Sequence, residues 1–226
     1  MTRANRPALP AAFAAFADDP DFATWAAGHG VIQHDAVTIE RIAQLLTRHA
    51  AEPARRRAWL RRLAAADRLA CMGMWLVAHM TYARRVRLDG EPLTAEDFKP
   101  TPEGHTGGAL NMVPAYVGYL AANAMSDLTR SWLMGQGHCV AAIDAVNLLV
   151  DNLGPAHATR YELSDEGLTR LVNDFYHCGV DPDGHPVSPL GSHVNAHTAG
   201  GVSEGGYLGF AGLQYVHMPL PGQHLV

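Results

Sequence analysis

Thirteen histidines stand in this chain of 226 residues, and three of them sit in turns built from small residues. The turns read Gly104-His105-Thr106-Gly107, Gly135-Gln136-Gly137-His138 and Ser192-His193, the last with Glu204-Gly205-Gly206-Tyr207-Leu208-Gly209 behind it. An imidazole titrates near neutrality, so it can move a proton or contact a phosphate oxygen. Glycine beside it lets the backbone take positive φ and lets a ligand come close. The second turn is the most informative. A short apolar run from Arg130 to Met134 enters it, and a helix-like stretch from Val140 to Val150 leaves it. Strand, tight turn and helix together aim free N–H groups and the positive end of the helix dipole at the turn, which favours an anion. For all three histidines the competing reading is loop capping. His197 lies four residues after His193, a zinc-like spacing on a helix, but Pro189 and Gly200-Gly201 oppose a helix there. Cys139 beside His138 does not suggest a nucleophile pair, because adjacent residues on a helix diverge.

The elements that must position these turns follow from periodicity. Residues 1 to about 35 are Ala-rich and broken by prolines, which predicts short helices in a loosely packed arm. Val37 to His49 places Ile39, Ile42, Leu45 and Leu46 on one helical side. Pro53 opens the next helix, which runs on to about Arg85. Its early arginines, Arg55, Arg56, Arg57, Arg61 and Arg62, read either as a phosphate patch or as a solvated face. From Leu69 to Tyr82 it is apolar nearly all round and should be buried, with Trp59, Met72, Met74 and Trp75 in the core. Leu88 to Glu103 is a turn-rich connector into the first histidine turn, and a helix from Ala109 to Met125 follows. Ser164 opens a helix whose Leu168, Leu171, Val172 and Phe175 share a face. Gln223 to Val226 reads as the start of a strand. The pattern predicts an α/β fold: an open, mainly parallel sheet flanked by helices, behind a helical N-terminal arm over residues 1–60. Ligands in such folds bind at the carboxyl ends of the strands, where all three histidine turns would gather.

Bulk properties exclude several classes. A formal net charge of −5 argues against broad nucleic-acid binding. Three cysteines far apart, with no signal peptide over Met1 to Ala17, suit a cytoplasmic protein with free thiols. The apolar run from Leu69 to Met80 is too short to span a bilayer.

Taken in order, the three turns resemble the N-terminal thiamine-diphosphate domain of the phosphoketolases and, more distantly, of the transketolases. Gly104-His105-x-Gly107, preceded by Phe98-Lys99-Pro100, is similar to the family's first motif. Gly135-x-Gly137-His138 is similar to its second, and Ser192-His193 with Glu204-Gly205-Gly206-x-Leu208-Gly209 to its third. The resemblance covers roughly residues 68 to 226, so that residues 61–226 would form the N-terminal part of a transketolase-like thiamine-diphosphate-binding domain. It implies thiamine diphosphate and magnesium, and phosphorolytic cleavage of a ketose phosphate, xylulose 5-phosphate or fructose 6-phosphate, to acetyl phosphate and an aldose phosphate. It implies that His105, His138 and His193 line the cofactor and substrate channel, and that His105, Gly137, Gly206 and Leu208 lie against the cofactor. It also implies a homodimer.

Three departures stand out. Cys139-Val140-Ala141 replaces the family's Gly-Gly-Pro after the second turn, and the stretch from Gly108 to Asn111 is shorter than the family's. The chain contains no Gly-Asp-Gly, the family's magnesium-binding motif, so no metal ligand is assigned in it. The expectation is therefore an incomplete lyase, needing the remainder of the enzyme. The alternatives are a non-catalytic remnant that keeps the fold and subunit interface, and a histidine-liganded metal hydrolase.

Overall fold

The computed structural model describes residues 14–126, 128–131, 137–176, 182 and 223–225, with backbone alone at residues 131, 138, 156 and 223–225. Contacts divide the chain into two compact units, residues 1–71 and 72–226.

In the first unit, helix α1 (Pro20–Ala26) starts at Asp19, whose carboxylate accepts from the Asp21 and Phe22 amides at 3.0 and 3.2 Å. Helix α2 (Ala36–His49) starts at Asp35, which accepts from the Thr38 amide at 2.7 Å. These caps satisfy N–H groups that a helix start leaves without partners. Where the arm is described it is packed, against the expectation of a loose one: Phe16, Phe22 and Trp25 are buried. Phe16, Phe22, Trp25, Ile39, Ala43, Leu46, Ala50 and Leu60 form one buried cluster. The buried stripe of α2 is Ile39, Ala43 and Leu46, spaced four and three apart, while Leu45 is turned out to solvent. His34 stacks on Trp25 at 4.6 Å and bonds Asp67 at 2.9 Å, so its role is packing. Gly28 has φ +72°, and a Cβ there would meet the Ile32 carbonyl oxygen at 2.2 Å. Only glycine fits that turn.

Helix α3 (Pro53–Tyr82) begins with proline at its first position, and the Glu52 carboxylate accepts from the amides of Ala54 and Arg55 at 3.1 and 2.9 Å. Its arginine run is mostly a solvated face. Arg56 is different: Nε reaches Asp19 at 3.0 Å and its guanidinium lies over the Phe16 ring.

In the second unit the later part of α3 packs with helices α4 (Thr106–Ala124) and α5 (Val140–Leu149). A Cβ added at Gly73 would lie 2.9 Å from a Val113 methyl and 3.3 Å from a Val146 methyl, so the three helices meet where α3 has no side chain. Leu76, Val77, Met80, Val113, Ala142 and Val146 are fully buried around that point. The expectation that α3 is buried all round fails on one face. Met72, Trp75 and Tyr82 are 47%, 39% and 46% exposed, at helical spacing, on a stripe that the core does not reach. With His79, Leu88 and Phe98 they line an open groove of about 710 Å³. Trp59 and Met74 are half-buried.

Helix α6 (Pro155–Arg160) and helix α7 (Asp165–Asp174) complete the helical set among the described residues. Ser164 caps α7 by accepting from the Gly167 amide at 3.0 Å, and Leu168, Leu171, Val172 and Phe175 are buried, as the periodicity predicts. Tyr161 donates to the Asp174 carboxylate at 2.9 Å, and burial pushes its phenol up to about 12.

Strands β1 (Thr129–Ser131) and β2 (Gln223–Leu225) pair in parallel, Thr129 with Gln223, Arg130 with His224 and Ser131 with Leu225. The two segments that read as strands therefore pair with each other. The wider open sheet is not seen: among the described residues this is a single two-stranded pair, and the rest is mostly helical. The connector between α3 and α4 is rich in Pro, Gly and Asp, and holds only a short 3-10 turn (Ala95–Asp97) and an isolated bridge, Ala83 to Phe98. No helix among the described residues is long and apolar enough to cross a membrane.

Candidate functional site

The first histidine turn is anchored by the end of α3. A helix leaves its last four carbonyls without partners. Here each finds one. His79 O accepts from the Ala83 amide at 2.8 Å, Met80 O from Lys99 Nζ at 2.8 Å, Thr81 O from the Glu103 amide at 3.0 Å, and Tyr82 O from the Lys99 amide at 2.8 Å. Three of the four donors come from the segment Lys99–Glu103, immediately before Gly104-His105. Thr106 Oγ1 adds a bond to Thr81 Oγ1 at 2.8 Å.

The connector is also stitched to α7. Asn173 Nδ2 donates to Arg84 O at 2.9 Å, the Val86 amide to Thr169 Oγ1 at 3.0 Å, and the Leu88 amide to Asp165 Oδ1 at 2.9 Å. Steps of two along the extended segment meet steps of four along the helix, so the two run antiparallel in register.

Gly104 closes the turn with φ +80°, and a Cβ there would sit 3.1 Å from the Phe175 ring at the end of α7. Both backbone and space call for glycine. His105 follows as the exposed N-cap residue of α4, and its side chain makes no capping bond to the helix. Gly107 differs from Gly104. It lies in the first turn of α4 with nothing within 4 Å of where a Cβ would be. Gly107→Ala is expected to stabilise the fold by about 0.5 kcal/mol, since glycine in a helix costs backbone entropy. A loss of 1 kcal/mol or more in urea unfolding would mean that glycine is needed there for packing.

Lys99 stands in the lead-in to the first motif, where the sequence assigned it no role of its own. It is the one lysine in the chain, against 16 arginines. Its side chain is 5% exposed, and Nζ donates to Met80 O at 2.8 Å, Val172 O at 2.7 Å and Glu103 Oε2 at 2.6 Å. Nζ also lies 5.1 Å over the Phe175 ring. Burial pushes the ammonium below the usual lysine range, and the Glu103 carboxylate opposes that.

The second turn follows β1. Gly137–Cys139 form a 3-10 turn that runs into α5. Strand, turn and helix thus occur in the order read from the sequence. Gly137 is buried, and Cys139 is 3% exposed, with burial raising its thiol pKa. Cys139 is the N-cap of α5 yet makes no side-chain capping bond, and the first turn of α5 holds no acidic residue. A helix start left in that state suits an anionic group. Helix α4, which opens at His105, packs against both α5 and the Gly137–Cys139 turn. The first two motifs therefore open two helices that touch. Of His138 the backbone is described; His193, Gly206 and Leu208 lie outside the described residues, as do His197 and Gly135.

A buried polar group lies on α5. Asn147 Oδ1 accepts from Tyr116 Oη and Asn152 Nδ2, both at 2.9 Å. One turn earlier Asp144 is 2% exposed, and its Oδ1 has no hydrogen-bond partner among the described residues. Burial pushes its carboxyl well above the usual carboxylate range.

The match to a family model is decisive for ancestry. The model, described as the XFP N-terminal domain, matches residues 60–216. The chain belongs to that family. It is 33% identical over 137 residues to a protein named "Probable phosphoketolase" from Schizosaccharomyces pombe, covering 61% of this chain and 15% of that protein. It is 35% identical over 123 residues to a "Probable phosphoketolase" from Mycobacterium avium, covering 54% and 14%. A third, from Methylococcus capsulatus, is 29% identical over 136 residues, covering 60% and 16%. The chain thus spans about 15% of the length of these relatives. No solved structure matches. The XFP match begins within α3 and takes in the Lys99 anchor, both described turns and the Ser192-His193 region.

The residues at hand fit part of the group that this family implies. The Gly137–Cys139 turn and the start of α5 suit the anionic end of thiamine diphosphate. Among the described residues no group of three or more His, Cys, Asp or Glu side chains is placed to hold a metal ion.

Proposed function

We propose that this chain is the N-terminal, cofactor-facing part of a phosphoketolase-type lyase of carbohydrate metabolism, working in the cytoplasm with thiamine diphosphate. The observation that supports this best is the family match over residues 60–216, together with the strand–turn–helix that leads into Gly137 and His138. When bound, the cofactor would supply the carbanion chemistry. The chain's own residues would bind and orient. Gly137, Gly206 and Leu208 would bring backbone against the cofactor. His105, His138 and His193 would contact substrate hydroxyls and phosphate oxygens, and hold or release protons there. The substrates would be a ketose phosphate and inorganic phosphate. Magnesium would take hard oxygen ligands from outside this chain. The parallel pair would belong to a wider open sheet of transketolase-like fold, residues 1–60 would form a separate helical arm, and the enzyme would be a dimer.

A second reading, a remnant that keeps the fold without the cofactor, is favoured by Cys139, whose thiol is buried at the start of α5, where the resemblance implies glycine. One titration separates the two. With thiamine diphosphate and magnesium at millimolar concentration, the lyase reading expects weak shifts in the nuclear magnetic resonance signals of His105, Gly137 and His138. No shift at any of the three would leave the remnant. On the lyase reading, calorimetry on the same chain is expected to detect weak binding only, since no metal site is formed among the described residues; tight magnesium-dependent binding would overturn the view that the site is incomplete.

A further inference from the structure

We propose that Lys99 is the positioning residue of the first histidine turn: one ammonium joins the C-terminal ends of α3 and α7 and so fixes where Gly104-His105 stands. The inference rests on reading His105 as a site residue, but its geometry is independent of any cofactor.

Three observations support it. The first is where the ammonium sits. Met80 O is among the last four carbonyls of α3, and Val172 O among the last four of α7. A cation suits each of these negative helix ends, and here one cation serves both. The second is donor geometry. Nζ has three protons and three acceptors, Met80 O, Val172 O and Glu103 Oε2, at 2.8, 2.7 and 2.6 Å. Three donors on one compact atom match that set; a planar guanidinium does not. In a chain whose other cations are all arginine, the single lysine stands where arginine would not fit. The third is leverage. Lys99 sits five residues before Gly104, and the Phe175 ring touches both. The ring lies 5.1 Å from Nζ and would meet a Gly104 Cβ at 3.1 Å. Glu103 accepts the ammonium through its side chain while its amide bonds Thr81 O. Moving Lys99 therefore moves the residues on either side of the turn.

The test compares the full chain with Lys99→Met, Lys99→Arg and Leu46→Ala, the last a core deletion in the first unit that lowers stability without touching the turn. Amide hydrogen exchange at Glu103 and the backbone amide signal of His105 are followed by nuclear magnetic resonance. Lys99→Met and Lys99→Arg are both expected to speed Glu103 exchange at least tenfold relative to Leu46→Ala and to shift the His105 amide signal. Leu46→Ala should leave that signal in place. Glu103→Gln keeps a neutral acceptor at the third position and should give an intermediate change, which keeps the test decisive if Lys99→Met does not fold. The proposal is overturned if Lys99→Arg behaves like the wild type, or if Leu46→Ala changes both readouts as much as Lys99→Met. Neither readout uses thiamine diphosphate, so failure of the cofactor titration would leave the Lys99 result intact, and the reverse.

Discussion

Gly167→Ala is expected to cost the fold about 3 kcal/mol or more, the largest loss from a single added methyl among the described residues. Helix propensity alone points the other way, because alanine in a helix is worth about 0.5–1 kcal/mol over glycine. Contact geometry decides. A Cβ at Gly167 would lie 2.0 Å from the Glu162 carbonyl oxygen and 2.8 Å from that residue's carbonyl carbon and amide nitrogen. Those atoms are backbone, so no rotamer change relieves the overlap. The first turn of α7 must shift, and with it the cap from Ser164 Oγ to the Gly167 amide. The shift would reach the ladder that holds the connector, starting at Asp165, which accepts from the Leu88 amide. Urea unfolding reads the loss, and faster exchange at the Leu88 and Val86 amides reads its spread. A midpoint equal to the wild type would refute the geometry at Glu162. Gly107→Ala, the same change in open space, is the natural comparison.

Asp144→Asn is expected to stabilise the chain at pH 7, because an amide stays neutral where burial opposes ionisation of the carboxyl. The sign follows from linkage. Burial raises the Asp144 pKa in the folded state above the 3.8 of an ordinary carboxyl. Below that value both folded and unfolded states hold the proton, and Asp144 costs nothing by ionising. As pH rises from about 4, the unfolded state releases the proton while the folded state keeps it, so stability falls up to the folded pKa and then levels off. Asparagine removes that slope. The difference in unfolding free energy between variant and wild type should therefore be small near pH 3 and grow towards pH 7. A variant destabilised at pH 7 but not near pH 3 would mean that Asp144 is held ionised by a donor.

The candidate site was legible in part because its signals are local. Small residues beside His105 and Gly137, and a helix start after each, are properties of a few adjacent residues. The Ser164 cap and the stripe of Leu168, Leu171, Val172 and Phe175 were legible for the same reason. Lys99 was not. Its three acceptors lie 19, 4 and 73 residues away, and no periodicity links positions 80, 99 and 172. The one available signal was compositional, a lone lysine among arginines. Burial of α3 was misjudged because an apolar run states what a helix could bury, not how much core it meets. Met72 and Trp75 were read as core from their type, yet α4 and α5 pack on the Gly73 side and leave the other face open.

By itself, then, the amino-acid sequence determined the main helices, the helix starts at Pro53 and Ser164, the two strand segments and the first histidine turn, since each depends on neighbours in the chain. Tertiary structure alone decided that β1 pairs with β2, that α3 and α7 end on one ammonium, that Gly104 must clear Phe175, and that Asp144 is sealed from water. These depend on atoms brought together from distant parts of the chain, and their energies come from desolvation and contact that exist only once the helices have packed.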